Sequence, residues 1–232
     1  MNESGASGGG ESKTQDAVDI SVRTYPVNEP RNNLLAYASV TLGGCFAVND
    51  IRVMNSSKGP FVAMPSKKGG DGQFHDTSFP TTAQMRETLN AAVMNSFQSG
   101  QQADAPVKSD AALDVSVKIY PMPQGEGAKN NLLAYANVTV GGCFAVTDVR
   151  VLNGKNGPFV AMPSRKGKDQ QYHDTCFPTT AAMREKLNAA VMGEFQRATQ
   201  KESVRSAIHN SQTKAAAPAT HTPARTRKTG AR

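Results

Sequence analysis

NNLLAYASVTLGGCFAVNDIRV, residues 32–53, returns as NNLLAYANVTVGGCFAVTDVRV at residues 130–151. The repetition continues without a gap to Gln98 and Gln196, with 17 mismatches over 67 aligned positions. That length exceeds one turn of a solenoid, so each copy reads as a small domain. Within the quoted stretch, apolar Leu34, Ala36, Ala38, Val40 and Leu42 recur at every second position, the pattern of a half-buried strand. Gly43-Gly44 then supplies a tight hairpin turn. The returning strand changes parity: Phe46 and Val48 lie on one side of the pleat, Ile51 and Val53 on the other. Such a switch implies a β-bulge, or a strand that leaves one sheet to join another.

Outward from this hairpin, an alternating strand precedes it at Ile20 and Val22, and again at Val115, Val117 and Ile119. The intervening loop is the one place where the copies differ in length, by three residues. Downstream come GPFVAMP, a basic loop (SKKGGDG or SRKGKDQ) and a last strand, QFHDTSF or QYHDTCF, which Pro80 and Pro178 stop. Thr81-Thr82 and Thr179-Thr180 offer helix N-caps, and Thr81 with Gln84 has the spacing of a capping box. Met85, Leu89, Val93 and Phe97 follow at four-residue spacing, repeated at Met183, Leu187, Val191 and Phe195, so one apolar stripe should cross the sheet. The expected fold is α+β: two tandem modules, each an antiparallel sheet of about five strands with one C-terminal helix, paired as a pseudo-dimer.

Boundaries follow from composition. Residues 1–18 read as a disordered arm, 19–98 as the first module, 99–113 as a linker, 114–196 as the second module and 197–232 as a basic tail, mostly disordered. A few turns of helix could extend beyond Arg197. The chain carries 26 Lys+Arg against 19 Asp+Glu, and its excess of +7 falls entirely after Gln196, where eight cations meet one carboxylate. The remainder, residues 1–196 with arm and linker included, sums to zero. Three cysteines, two of them at the same repeat position, give neither a disulfide framework nor a metal-ligand spacing. No apolar run approaches membrane-spanning length, and the expected location is the cytoplasm. Cofactors and metals are not expected.

The order D-[IV]-R-V, Gly-Pro, F-V-A-M-P-S-[KR]-K, [FY]-H-D-T-x-F-P and a helical Arg recurs in both copies. It is carried by Asp50, Arg52, residues 61–67, Asp76, Pro80 and Arg86, and by Asp148, Arg150, residues 159–165, Asp174, Pro178 and Arg184. This succession resembles the SpoVG (stage V sporulation protein G) family of bacterial septation proteins. The resemblance implies a small nucleic-acid-binding regulator that pairs its sheets as a homodimer. The tandem arrangement and the long tail depart from that pattern, and duplication could replace the homodimer by an intramolecular pair, with exchange at the parity switch.

Lys67 and Lys68, and Arg165, Lys166 and Lys168, sit in glycine-rich loops where cations and amides could clamp phosphates. Arg52 and Arg150 are further candidates, with pairing to Asp50 or Asp148 as the competing role. Arg225, Arg227 and Lys228 stand for the tail, suited to sequence-independent attraction to phosphate. The second copy, with the more basic loop, is the stronger candidate if only one binds. His75-Asp76 and His173-Asp174 look catalytic, but strand neighbours point to opposite faces. A Cys143–His173 nucleophile pair is formally open, whereas Cys45 and Cys143 fit better as small buried hydrophobes. The expected function is thus non-catalytic DNA or RNA binding. The alternative is a protein-interaction module whose tail alone touches nucleic acid. No membrane partner is expected, and further self-association of whole chains is left open.

Overall fold

The structure, a computed structural model, describes residues 18–29, 32–100, 112–123, 131–167 and 169–215. The first module contributes β1 (Ile20–Pro26), β2 (Leu34–Leu42), β3 (Phe46–Met54), β4 (Phe61–Ala63), β5 (Ser66–Lys68), β6 (Phe74–Asp76), β7 (Ser78–Pro80) and helix α1 (Ala83–Ser99). The second repeats the order as β8 (Val115–Pro121), β9 (Leu132–Val140), β10 (Phe144–Gly154), β11 (Gly157–Ala161), β12 (Ser164–Lys166), β13 (Tyr172–Asp174), β14 (Cys176–Pro178) and α2 (Ala181–Ala215). The expected alternation is realised. Ala36, Ala38, Val40 and Leu42 are buried under the helix, and Gly43 and Gly44 turn the hairpin at φ 53° and 63°, the left-handed pair at the centre of a type I′ turn that Cys45 N–H closes onto Leu42 C=O at 3.1 Å.

Each large sheet has five strands, but only four come from its own module. β14 of the second module pairs with β3, Cys176 opposite Val48, and β7 of the first pairs with β10, Ser78 opposite Val146. The modules thus exchange one strand each. The third strand is shared along its length: the first half of β3 meets β14, and the second half, Arg52 to Met54, meets its own β4. Between the halves, the register slips where Val48 faces Val40 and Ile51 faces Ala38. The parity switch is therefore a bulge at Asn49-Asp50, with Asp50 held at φ 60° and Asp148 likewise in the second copy. The bulge is also where the neighbour changes. Asn49 N–H donates to Thr175 C=O at 2.6 Å, and Thr147 N–H to Thr77 C=O at 2.7 Å.

The helices return to their own sheets. Met85, Leu89 and Val93, and Met183, Leu187 and Val191, are buried against the apolar faces in one continuous core that also takes Phe46, Phe144 and Cys176. The N-cap of α1 is Thr82, whose hydroxyl accepts from Met85 N–H. The expected capping box at Thr81 does not form, because Thr81 N–H is spent on Cys143 C=O of the other module. Gly100, left-handed at φ 62°, ends α1. The second copy has Ala198 there and no glycine, and α2 runs on to Ala215. The residues leading into each module also cross over, Leu113 from the linker and Val18 from the arm. A side chain on Gly43 would collide with Leu113, and one on Gly141 would press on Val18 at 3.0 Å. Among the described residues, no helix is long and apolar enough to cross a membrane.

Candidate functional site

The basic segment expected as a loop is largely a β-ribbon: β5 pairs with β6 through Lys67 opposite His75, and β12 with β13 through Arg165 opposite His173. Each ribbon stands outside the main sheets because it spans the crossover between its own sheet and the strand lent to the other. Charged residues on both faces of a short strand leave no alternation to detect, so the pattern that found β1–β3 could not find the ribbons.

The two ribbons face each other across a cleft of about 450 Å³ at the junction of the modules. Its walls take Arg52, Lys67 and Lys68 from one copy and Arg150, Arg165 and Lys166 from the other, with Asp50 and Asp148 as the carboxylates, an excess of four positive charges. Residues 1–196, whose charges cancel in the sequence, therefore carry a locally basic surface. Phe74 and Tyr172 also line the cleft, and each is 72% exposed.

The cations have different neighbours. Lys67 Nζ binds Asp148 at 3.0 Å, and Arg165 binds Asp50 at 2.8 Å, so both pairs cross between modules. Arg52 and Arg150 are consequently not the partners of these aspartates. Arg52 donates to Ser66 Oγ at 3.1 Å, and the Nε of both arginines is buried without a protein partner. Lys68 and Lys166 are exposed at the ribbon ends. Lys168, Arg225, Arg227 and Lys228 lie outside the described residues. The helical arginines serve the exchange: Arg86 donates to Pro80 C=O at 3.1 Å and Arg184 to Pro178 C=O at 3.2 Å, tying each helix to the strand just lent away.

Sequence reasoning missed the partner of each histidine, which lies four residues earlier rather than one later. His75 meets Asp71 and His173 meets Asp169, each at 2.8 Å. The backbone N–H of Gln73 and the ring of His75 hold Asp71 below the usual carboxylate range. The His173 bond, with Gln171 N–H, does the same for Asp169. Asp174 moves the other way, raised by burial against the opposing fields of Arg184 and Arg150. The spacing D-x-x-x-H is present in both copies and could have flagged the pair. Burial pushes the Cys143 thiol up and the Cys176 thiol to about 12. Neither is poised to act as a thiolate. Among the described residues, no cluster of three His, Cys, Asp or Glu side chains could hold a metal.

A family model described as SpoVG matches residues 17–99 and again residues 114–197. Among curated relatives, the septation protein SpoVG of Bdellovibrio bacteriovorus is 43% identical over 77 residues, which is 33% of this chain and 69% of the relative. Its namesake in Brevibacillus brevis is 44% identical over 91 residues, 39% of this chain and 95% of the relative. That of Shouchella clausii is 43% identical over 77 residues, 33% of this chain and 79% of the relative. Each such match spans about one module.

Proposed function

Because this chain belongs to the SpoVG family and carries that family's domain twice, we propose that it is a non-catalytic nucleic-acid-binding regulator whose phosphate-binding surface is the cleft between its modules. The observation that carries this reading is the convergence of six cations and two carboxylates on one cleft, although residues 1–196 as a whole carry no net charge. A polyanion is the partner that such a local excess attracts, and its backbone would be positioned by the ribbons rather than read in sequence. Lys68 and Lys166, exposed and outside the cross-module ion pairs, are the first contacts; Arg52 and Arg150 add charge deeper in the cleft. The two sides match closely, so this geometry favours use of both copies over the second alone. The tail cations Arg225, Arg227 and Lys228 contribute sequence-independent affinity. Three free thiols fit action in the cytoplasm.

The test is fluorescence anisotropy of the full chain with labelled DNA and RNA across a salt series. Lys68→Glu/Lys166→Glu should weaken binding at every salt concentration and reduce the slope of log affinity against log salt by about 1–2. Unchanged affinity and slope would remove the cleft from the interface.

A further inference from the structure

Beyond the cleft, the solvent face of each large sheet carries a row of side chains that phosphate attraction does not explain. Tyr25 on β1 stands directly opposite Tyr37 on β2, and Tyr37 directly opposite Arg52 on β3. The second module repeats the row as Tyr120, Tyr135 and Arg150. Directly opposed residues share a face, and neighbouring strands are about 4.8 Å apart, so each row is continuous. The four tyrosines are 46%, 42%, 42% and 38% exposed. Cations accompany them: Lys118 Nζ lies 5.5 Å from the centre of the Tyr120 ring. Each row ends at the arginine that lines the cleft. Tyr37 also walls a second cavity, of about 310 Å³, whose far side is Arg165, Lys166 and Gly167 of the other module.

We propose that these rows are base-stacking platforms and that the protein takes single-stranded nucleic acid, with phosphates in the cleft and unpaired bases on Tyr25, Tyr37, Tyr120 and Tyr135. This inference rests on the nucleic-acid reading of the cleft and deepens it. In a duplex the base faces are already stacked on each other, and an aromatic ring on a protein surface meets backbone and groove edges rather than a base face. A single strand offers its bases, and aromatic faces beside cations are what holds them. Sheet stability alone would account for Tyr25 beside Tyr37, since cross-strand aromatic pairs help a sheet. It does not account for the arginine that completes each row, nor for the placement of all five tyrosines of the chain on the surface.

The chain has no tryptophan, so its intrinsic fluorescence is that of these tyrosines. The experiment titrates the full-length protein with one mixed-sequence oligonucleotide, as DNA and as RNA, single-stranded and annealed to its complement. The expected result is tighter binding of the single strand with quenching of tyrosine emission. Tyr37→Ala/Tyr135→Ala should lose about tenfold or more in single-strand affinity with little change for the duplex. Tyr37→Phe/Tyr135→Phe, which keeps the rings and disturbs the fold least, should retain it. Equal or tighter duplex binding, or single-strand binding without quenching, would overturn the platforms and leave the cleft intact. Binding of neither form by the wild-type protein would overturn the cleft reading itself.

Discussion

Ser78 offers the most searching test of the exchanged architecture. It sits on β7, fully buried opposite Val146 in the other module's sheet, and its hydroxyl has no protein partner. The pseudo-equivalent residue, Cys176 on β14, is equally buried opposite Val48. A buried hydroxyl left without a hydrogen bond costs about 1–3 kcal/mol, whereas a thiol behaves as a small hydrophobe. Ser78→Cys should therefore stabilise the protein by about 1–2 kcal/mol. At about 2–4 °C per kcal/mol for a chain of this size, the midpoint should rise by about 2–8 °C. The assays are thermal unfolding for the midpoint and urea unfolding under reductant for the free energy, with the denaturant dependence unchanged, alongside Ser78→Ala to separate loss of the hydroxyl from gain of sulfur. Native-state hydrogen exchange adds the topology: because β7 is lent, slower exchange should appear in β9 and β10 of the second module, not in β2 and β3. If both variants lower the midpoint, the reasoning fails. If the slowing appears in β2 and β3 instead, the exchange is refuted.

Asp50 is left-handed at φ 60° and its carboxylate binds Arg165. Asp50→Ala should cost about 1 kcal/mol more than Asp50→Gly by chemical denaturation, since alanine keeps the backbone strain that glycine relieves while both lose the same ion pair. Depression of the Asp169 carboxyl, led by the His173 bond, stabilises the fold above the carboxyl's unfolded pKa, and that contribution is lost as pH falls through the folded one. His173→Ala should raise the Asp169 pKa in a carboxyl-carbon NMR titration, while His75→Ala raises that of Asp71 less, because Gln73 N–H remains its leading partner. Thiol titration of the native protein should find Cys176 unreactive and Cys143 slow, both becoming reactive on denaturation.

Much of this was legible in the chain because local pattern determined it. Alternation located β1–β3 and β8–β10, the parity change between Val48 and Ile51 located the bulge, and four-residue spacing located the helical stripe. What local pattern cannot choose is a partner. Ser78-Phe79-Pro80 and Cys176-Phe177-Pro178 are near-identical strands, and β3 and β10 are near-identical acceptors, so either pairing satisfies the same periodicity. The choice rests on how the ribbons carry the chain across the junction. For the same reason Asp50 was legible as an ion-pair residue while its true partner, Arg165, lies 115 positions away in the other copy. The charged cleft was hidden by averaging: the neutral total of residues 1–196 conceals six cations from both modules gathered around two carboxylates. The tyrosine rows needed register, since only the pairing of β1 with β2 and β2 with β3 brings Tyr25, Tyr37 and Arg52 into line.

The lent strands have a consequence for how such a protein can change. In a symmetric pair of identical chains, every substitution appears twice and must suit both halves at once. Here the halves are covalently distinct, so Ser78 and Cys176, Asn49 and Thr147, or Phe74 and Tyr172 can differ while still completing each other's sheets and cleft. The exchange makes each half indispensable to the other's core, and the single chain frees each half to specialise its surface.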